Sequence, residues 1–594
     1  MRVSESLLEE LNQKVKSFKG GCIKSYLHNW KRLTSDEEIL NMVEGLSINL
    51  TDDLPATTPI QYPLGKEEHI FVMQEINRLL DRNIIQSCGH EKGEFISPIF
   101  LRPKSDGKFR MILNLKKLNE VSDKQHFKMD TLKSVLTLVY PGAFMCKVDI
   151  KDAYYSVPIA TNDQKLLKFT FEGVLYKFVA LPNGYTKGPR KFTKLLKPAL
   201  ATLRKKGATL AAYLDDIFII AGSYARCLNS LHMLIEMLVS LGFVIHPAKS
   251  VFVPCRIMEF LGFIINSLNM TVRLTMEKKT KINNLCMEVR SPRGGVTVRD
   301  IARLLGKFSS SFIGFTEGKL HFRYLERNKT EILAWNKGKF DSPFYFTEEA
   351  LEEVNWWMDY IMSSWSPIMR NNPELVVTSD ACLGGWGACS DTGQTGGLFS
   401  VVEREEHINV LESRAVLFAL RSLHDSSKDV HIKILSDNTA TVGAINNMGS
   451  SKSLRLHEIV VQIWEWALAH GNWLSASHIP GVQNVQADKE SRKNDIRTEW
   501  MLSDDSFEDI LHKLEFCPTI DLFASRINNK LPRFASFRPD PDAVLINAFS
   551  VSWTDLAFYA FPPFICIGRV LQKNQEGWGH GHYRGTRLAK SALV

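Results

Sequence analysis

From Lys66 to Leu80 the apolar residues Ile70, Phe71, Met73, Ile76, Leu79 and Leu80 recur at helical spacing and predict a helix. An amphipathic helix is also predicted over Ser4 to Phe18, in an otherwise mixed, polar stretch of about 60 residues. Phe95 to Asn114 reads as two strands about the turn Lys104-Ser105-Asp106-Gly107-Lys108, because Asp-Gly favours a tight reversal. Ala143 to Ile159 reads as a strand running into a helix-like turn, and Ala211 to Ala221 as an apolar hairpin interrupted only by two carboxylates. In the helix that follows, Leu228, Leu231, Leu234, Ile235, Leu238 and Leu241 form one stripe, expected to face a core. Between about 330 and 372, Trp335, Trp356, Trp357 and Trp365 cluster and Pro343 and Pro367 punctuate, as in a connecting element with one packed helix. Strands and Gly-rich turns over Glu374–Ser400, a helix over His407–Leu423, a strand at His431–Ser436 and a helix over Ser453–His470 then give the order β-β-β-α-β-α. That order predicts a compact α/β domain ending near Arg492.

Composition narrows the class. A chain of 594 residues has room for three or four domains at about 150 residues each. Hydrophobic residues at 44% and charged residues at 23% exclude a mostly disordered chain. The ten Cys contain no C-x-x-C pair, so neither a zinc ribbon nor a disulfide framework is expected, and reduced thiols point to an intracellular compartment, cytoplasm or nucleus. No run of about 18 apolar residues exists and the N-terminus lacks a signal peptide's apolar stretch, so no membrane partner is expected. The net charge of +8 is unevenly spread. Residues 249–330 hold 15 Lys/Arg against 6 Asp/Glu, an excess that accounts for the whole imbalance. A smaller basic stretch runs from Arg102 to Lys117. Such patches suit a phosphate-rich partner.

Charged side chains inside apolar strands are costly unless paired or metal-bound. Asp149 ends Met145-Cys146-Lys147-Val148, and Asp215-Asp216 interrupt Tyr213-Leu214…Ile217-Phe218. If those strand ends lie side by side, Asp149 and Asp215 make an oxygen-rich site for hard divalent cations, of the kind that supports nucleotidyl transfer. Tyr213-Leu214-Asp215-Asp216 resembles the polymerase signature of reverse transcriptases, and Asp149-Ile150-Lys151-Asp152-Ala153-Tyr154-Tyr155 resembles their first catalytic motif. The resemblance implies that Asp149, Asp215 and Asp216 are the catalytic carboxylates. Asp149 and Asp215 would be the metal ligands, since adjacent strand residues point to opposite faces. It further implies that Tyr154 is a gate against a ribose 2′-hydroxyl and that Lys104 and Arg110 hold the triphosphate. Lys249 would protonate pyrophosphate, and Phe260-Leu261-Gly262 would form the primer grip. Leu181-Pro182-Asn183-Gly184 is similar to the motif that packs on template and nucleotide, with Asn183 where retroviral relatives have Gln.

A second carboxylate set follows. Asp380 succeeds Leu375-Val376-Val377, Glu412 sits on a helix with Leu411, Leu417 and Leu420, Asp437 ends the strand from His431, and Asp488 follows His478-Ile479-Pro480-Gly481. Carboxylates converging at strand ends can bind two divalent ions and hydrolyse a phosphodiester. The order resembles ribonuclease H, which implies Asp380, Glu412, Asp437 and Asp488 as metal ligands and His478 as a mobile histidine. Asp391-Thr392-Gly393 matches an aspartic-protease triplet but reads as a turn between strands. Asn49-Leu50-Thr51 and Asn328-Lys329-Thr330 are glycosylation sequons without a secretory context. Gly579-His580-Gly581-His582 falls in a Gly/His/Arg-rich tail expected to be disordered.

Gly20-Gly21-Cys22, Ile520-Asp521-Leu522-Phe523-Ala524-Ser525-Arg526, Arg538-Pro539-Asp540-Pro541-Asp542 and Tyr559-Ala560-Phe561-Pro562-Pro563-Phe564 resemble DIRS-type retrotransposons, which integrate with a tyrosine recombinase. The implied fold class is α/β and α+β multidomain, a right-hand polymerase (fingers, palm, thumb) followed by a ribonuclease H-like α/β domain. The expected domains are an N-terminal extension (1–60), fingers and palm (61–265), thumb and connection (266–372), the ribonuclease H-like domain (373–495), a family-specific segment (496–573) and the tail (574–594). The resemblance implies a multifunctional enzyme that copies retrotransposon RNA into DNA and degrades the RNA strand of the hybrid. It would use two Mg²⁺ per site, or Mn²⁺, on an RNA template, a DNA primer, an RNA/DNA hybrid and deoxynucleoside triphosphates. A recombinase and a capsid-like protein are expected from other frames, the chain being too short to include the former. The competing expectations are a catalytically inactive nucleic-acid-binding relic and a gypsy-like or pararetroviral polymerase.

Overall fold

The computed structural model describes residues 4–54, 63–103, 109–122, 127–291, 295–493, 500–554, 556–576 and 591–593. The chain is a mixed α/β multidomain protein that divides into two compact units. One comprises Met1–Lys278 with Trp365–Met369, the other Lys279–Ser364 with Arg370–Val594.

The first unit is built on a four-stranded antiparallel sheet in the order Thr209–Tyr213, Asp216–Ala221, Phe144–Asp149, Val251–Cys255. The two central strands are almost continuously apolar because both of their faces are buried. The predicted leucine stripe is indeed core: helix Tyr224–Ser240 buries Leu228, Leu231, Leu234, Ile235 and Leu238. The hairpin Thr209–Ala221 closes through Leu214 and Asp215, with Tyr213 paired to Asp216. Leu214 has φ of 56°, a left-handed conformation that costs a non-glycine residue roughly 1 kcal/mol. This strained turn puts Asp215 at the hairpin tip.

Three helices of the N-terminal extension pack into the first unit. Helices Glu5–Lys16, Leu27–Leu33 and Glu37–Gly45 bury Leu11, Trp30, Ile39, Met42 and Val43 in the same core as the sheet. The Trp30 indole N–H donates to the Leu241 carbonyl at 3.0 Å, and the Gly21 N–H donates to the Tyr155 carbonyl at 2.8 Å. Short helices with narrow apolar stripes read as polar in sequence although each contributes fully buried side chains. The strands Ile99–Pro103 and Phe109–Leu113 pair as predicted, the turn residues 104–108 lying outside the described residues. The expected boundary at 265/266 falls inside a sheet of Ile257–Phe260, Phe263–Asn266, Thr271–Leu274 and Ser366–Pro367, which keeps these strands with the first unit.

In the second unit, helices Val298–Ser311, Arg323–Trp335 and Glu348–Tyr360 pack together, the first and last through aromatic side chains. Phe308 stacks on Trp357 at 3.9 Å between ring centroids, and Phe315 on Trp356 at 5.2 Å. Glu353 is buried there and accepts the Tyr324 and Leu325 N–H groups at 3.1 and 2.8 Å, capping helix Arg323–Trp335. Next comes a five-stranded sheet in the order Gly393–Leu398, Gly385–Ser390, Leu375–Ala381, His431–Ser436, Trp473–His478. The first three strands are antiparallel and the last two pair in parallel. Helices Ile408–His424 and Leu454–Ala469 appear as predicted. Helix Thr439–Asn446 and strand Trp473–His478 complete the domain and escaped the periodicity reading. Asp391 and Thr392 form the expected turn, between Ser390 and Gly393 of paired strands.

After helix Val485–Arg492 the chain builds a small core of Ile520, Leu522, Trp553, Phe558 and Val570. Helix Ile567–Glu576 runs through the expected boundary at Lys573, and Ser591–Leu593 pairs in parallel with Phe558–Ala560. The Gly579–His582 stretch lies outside the described residues. All ten cysteines are free thiols, including the buried pair Cys146 and Cys227 at 3.6 Å. No helix of the described residues is long and apolar enough to cross a membrane.

Candidate active sites

The first site lies where strand Phe144–Asp149 ends beside the Leu214–Asp215 turn. Backbone bonds fix the junction: the Ile150 N–H donates to the Asp215 carbonyl, the His246 N–H to the Asp149 carbonyl, and the Asp149 N–H to Ser250 Oγ at 3.0 Å. These surround a cleft of about 620 Å³ whose wall includes Asp149, Asp215, Tyr154, Asn183, Lys249 and Arg110. Thus residues spread over some 140 positions of sequence converge on one cavity. Asp216 pairs across the ladder from Asp149 but is not among the lining residues, and its Oδ1 lies 4.0 Å from Lys147 Nζ. Lys104 lies outside the described residues.

The electrostatics are those of crowded anions. Burial raises the Asp149 carboxyl, with Lys249 pulling it down and Asp215 pushing it up. Burial holds Asp216 at about 6, against the pull of Lys147 and with the push of Asp215 and Asp149. Such a set is suited to a cation, which would relieve the repulsion. Tyr154 packs edge-on against Phe192 at 5.6 Å, and burial pushes its phenol up to about 12, so it stays neutral.

The primer-grip expectation needs correction at Phe260. Its side chain is fully buried and packs on Phe218 at 5.2 Å, because hairpin alternation turns it inward. Only the turn residues Leu261 and Gly262, both with positive φ, reach the surface. Conversely, the sequence reading missed Arg78, Arg82 and His246, which also line the cleft. Arg78 is held by Glu75 at 2.7 and 2.8 Å and Arg82 by Asp152 at 3.0 Å. Arg78 falls on the predicted helix and Arg82 just past its end, a spacing of four that was their one local signal.

At the second site Asp380, Glu412 and Asp437 each offer a carboxylate oxygen within 4.8 Å of the others. Asp380 and Asp437 come from the ends of the parallel strands, Glu412 from the helix that crosses the sheet. Burial, then Asp380 and Asp437, push Glu412 up to about 8, and its buried Oε2 has no hydrogen-bond partner. An orphaned carboxylate oxygen facing two other carboxylates fits a divalent cation. Asp380 is raised mainly by burial and is held by Ser491 Oγ at 2.7 Å and Asn484 Nδ2 at 3.3 Å. The Ser491 partner was not anticipated. Asp488 stands outside the three-residue cluster, bonded to Arg492 Nε at 2.7 Å. His478 is exposed, at the end of the strand paired with Ser436. Asn328 of the second sequon is itself buried, its Oδ1 accepting the Thr347 N–H.

Comparison with known proteins agrees with the first site. Residues 102–265 match the family described as "Reverse transcriptase (RNA-dependent DNA polymerase)". The Pro-Pol polyprotein of Simian foamy virus type 1 is 25% identical over 272 residues, covering 43% of this chain and 23% of that protein. The Transposon Tf2-3 polyprotein of Schizosaccharomyces pombe (strain 972 / ATCC 24843) is 23% identical over 240 residues, covering 40% and 18%. The chain therefore spans about a quarter or less of the length of these relatives. Among solved structures, the foamy viral protease-reverse transcriptase in complex with dsDNA is 19% identical, covers 73% of this chain and 88% of that chain, and has a TM-score of 0.47. The chain carries a reverse transcriptase domain of the kind found in retroviral and retrotransposon polyproteins.

Proposed function

We infer that this chain is an RNA-directed DNA polymerase that also hydrolyses the RNA strand of the hybrid it makes. The observation that carries the reading is the convergence of Asp149, Asp215, Lys249, Arg110, Tyr154 and Asn183 on one cleft within the family-matched region. In this reading Asp149 and Asp215 hold Mg²⁺, Arg110 (with Lys104) and Lys249 bind the triphosphate, and Tyr154 stacks beneath the sugar. Asp380, Glu412, Asp437 and Asp488 would hold the metals of the nuclease. The divalent ions would supply charge neutralisation at the phosphates and acidify the attacking hydroxyl or water. The side chains position them. His478, exposed beside the Asp437 strand end, is free to move a proton. The basic segment 249–330 would grip the duplex backbone without reading sequence, so binding should weaken steeply with salt.

The test is primer extension on poly(rA)/oligo(dT) with Mg²⁺, alongside cleavage of a labelled RNA/DNA hybrid. Absence of extension by the wild type, or equal extension by Asp215→Asn, overturns the polymerase reading and leaves a nucleic-acid-binding relic. On the residues shared with DIRS-type elements, we further place the chain in such a retrotransposon, acting inside the cell beside a recombinase and a capsid-like protein from other frames. A neighbouring aspartic protease or integrase frame with no recombinase would instead favour a gypsy-like or pararetroviral element.

A further inference from the structure

The geometry points to the segment Arg526–Asp540 as a working part of the nuclease, with Arg538 as a positioning residue that acts through Glu490. This rests on the nuclease reading above and extends it to residues outside the carboxylate cluster.

Helix Val485–Arg492 carries Asp488 and also Ser491, whose hydroxyl donates to Asp380 Oδ2 at 2.7 Å. The helix lies directly on the sheet. A Cβ on Gly387 would come within 2.3 Å of the Ala487 carbonyl and the Ser491 nitrogen, and one on Gly396 within 2.9 Å of the Glu490 carbonyl. These glycines allow the approach but do not fix the helix against sliding or rotation. Glu490, which is only 3% exposed, adds such a restraint beside the Ser491–Asp380 bond and the Cys382 Sγ bond to the Ser491 carbonyl. Glu490 Oε2 accepts Arg538 Nη1 at 2.9 Å, and its Oε1 lies 3.2 Å from Lys493 Nζ. The same segment is tied to the sheet edge, where Thr395 Oγ donates to the Pro539 carbonyl. It is also tied to the element bearing Glu412. Arg526 lies over the Phe418 ring at 4.3 Å on helix Ile408–His424 and donates to Glu403 Oε1 at 2.7 Å and to the Leu398 carbonyl at 3.0 Å. Asp540 Oδ2 accepts the Arg526 N–H, joining the two arginine contacts into one clamp. Both nuclease helices are thus braced from the same C-terminal segment. Loss of the Arg538–Glu490 pair leaves a buried carboxylate with Lys493 as its remaining charged partner, which favours displacement of the helix and of Ser491 and Asp488 with it.

The test uses the full-length chain and follows hybrid cleavage as a function of Mg²⁺ concentration, with primer extension as an internal control. Arg538→Ala is expected to raise the Mg²⁺ concentration for half-maximal cleavage by about tenfold, the scale seen when a group supporting a metal ligand is lost. Primer extension should be unchanged. Arg538→Lys should recover most of the loss, and the charge exchange Arg538→Glu with Glu490→Arg should recover part of it. An Mg²⁺ profile identical to wild type for Arg538→Ala overturns the inference. So does an equal defect in Arg538→Ala and Arg538→Lys. Absence of cleavage by the wild type is a separate outcome, which overturns the nuclease reading itself.

Discussion

Replacing Glu353 by Gln should make the second unit more stable at neutral pH, and the gain should grow with pH. Glu353 is 4% exposed, and burial drives its carboxyl up to about 8 even though the Tyr324, Leu325 and Arg323 backbone donors and the Arg323 charge favour the anion. The ordinary value is 4.5. Between these two values the folded chain binds more protons than the unfolded one, so the contribution of this group to stability is full below 4.5 and is lost as pH rises through about 8. At pH 7 the difference corresponds to about 3 kcal/mol, against less than about 1 kcal/mol at pH 5. Gln keeps an acceptor oxygen for the two N–H groups and never ionises. Urea denaturation followed by the fluorescence of Trp356 and Trp357, which meet edge-on, should therefore show the variant gaining about 2 to 3 kcal/mol on wild type between pH 5 and pH 7. Parallel pH profiles for the two proteins would refute the reasoning, because they would mean that Glu353 titrates alike in the folded and unfolded chains.

Trp30→Ala should destabilise the first unit by about 3 to 5 kcal/mol, the cost of emptying a core aromatic site, measured by thermal or chemical denaturation. Tyr154→Ala should increase ribonucleotide incorporation relative to deoxynucleotide incorporation by about tenfold or more in single-nucleotide extension assays. Glu412→Gln should reduce hybrid cleavage by more than about 100-fold, exceeding the loss typical of groups that only support a metal ligand, while primer extension persists.

The carboxylate sites were legible because they contradict their surroundings. Asp149 and Asp215 interrupt apolar strands and line one cleft, whereas Glu412, alone an ordinary helix acid, stood out only through its order with Asp380 and Asp437, with which it clusters. The groups around them were not legible, because nothing marks them locally. Ser491 looks like an ordinary helix polar until the helix is seated against Asp380. Arg78 and Arg82 look like a solvated helix face, and Phe260 loses its expected surface role only when the direction of its strand is known. The fold shows the same division. Strong local periods gave the central strands and long helices, whereas the N-terminal helices and strand Trp473–His478 depend on partners far away in sequence.

The Trp30 indole finds its acceptor, Leu241, 211 positions along the chain. A ribosome must therefore deliver most of the first unit before the Trp30 indole can reach this acceptor. During that interval, Leu11, Trp30 and Val43 lack the burial they have in the finished core. Long-range closure of this kind slows folding and leaves apolar surface open to association. Yield of folded protein should thus depend on translation speed and on chaperone supply, through residues that precede Asp149 and Asp215 in the chain.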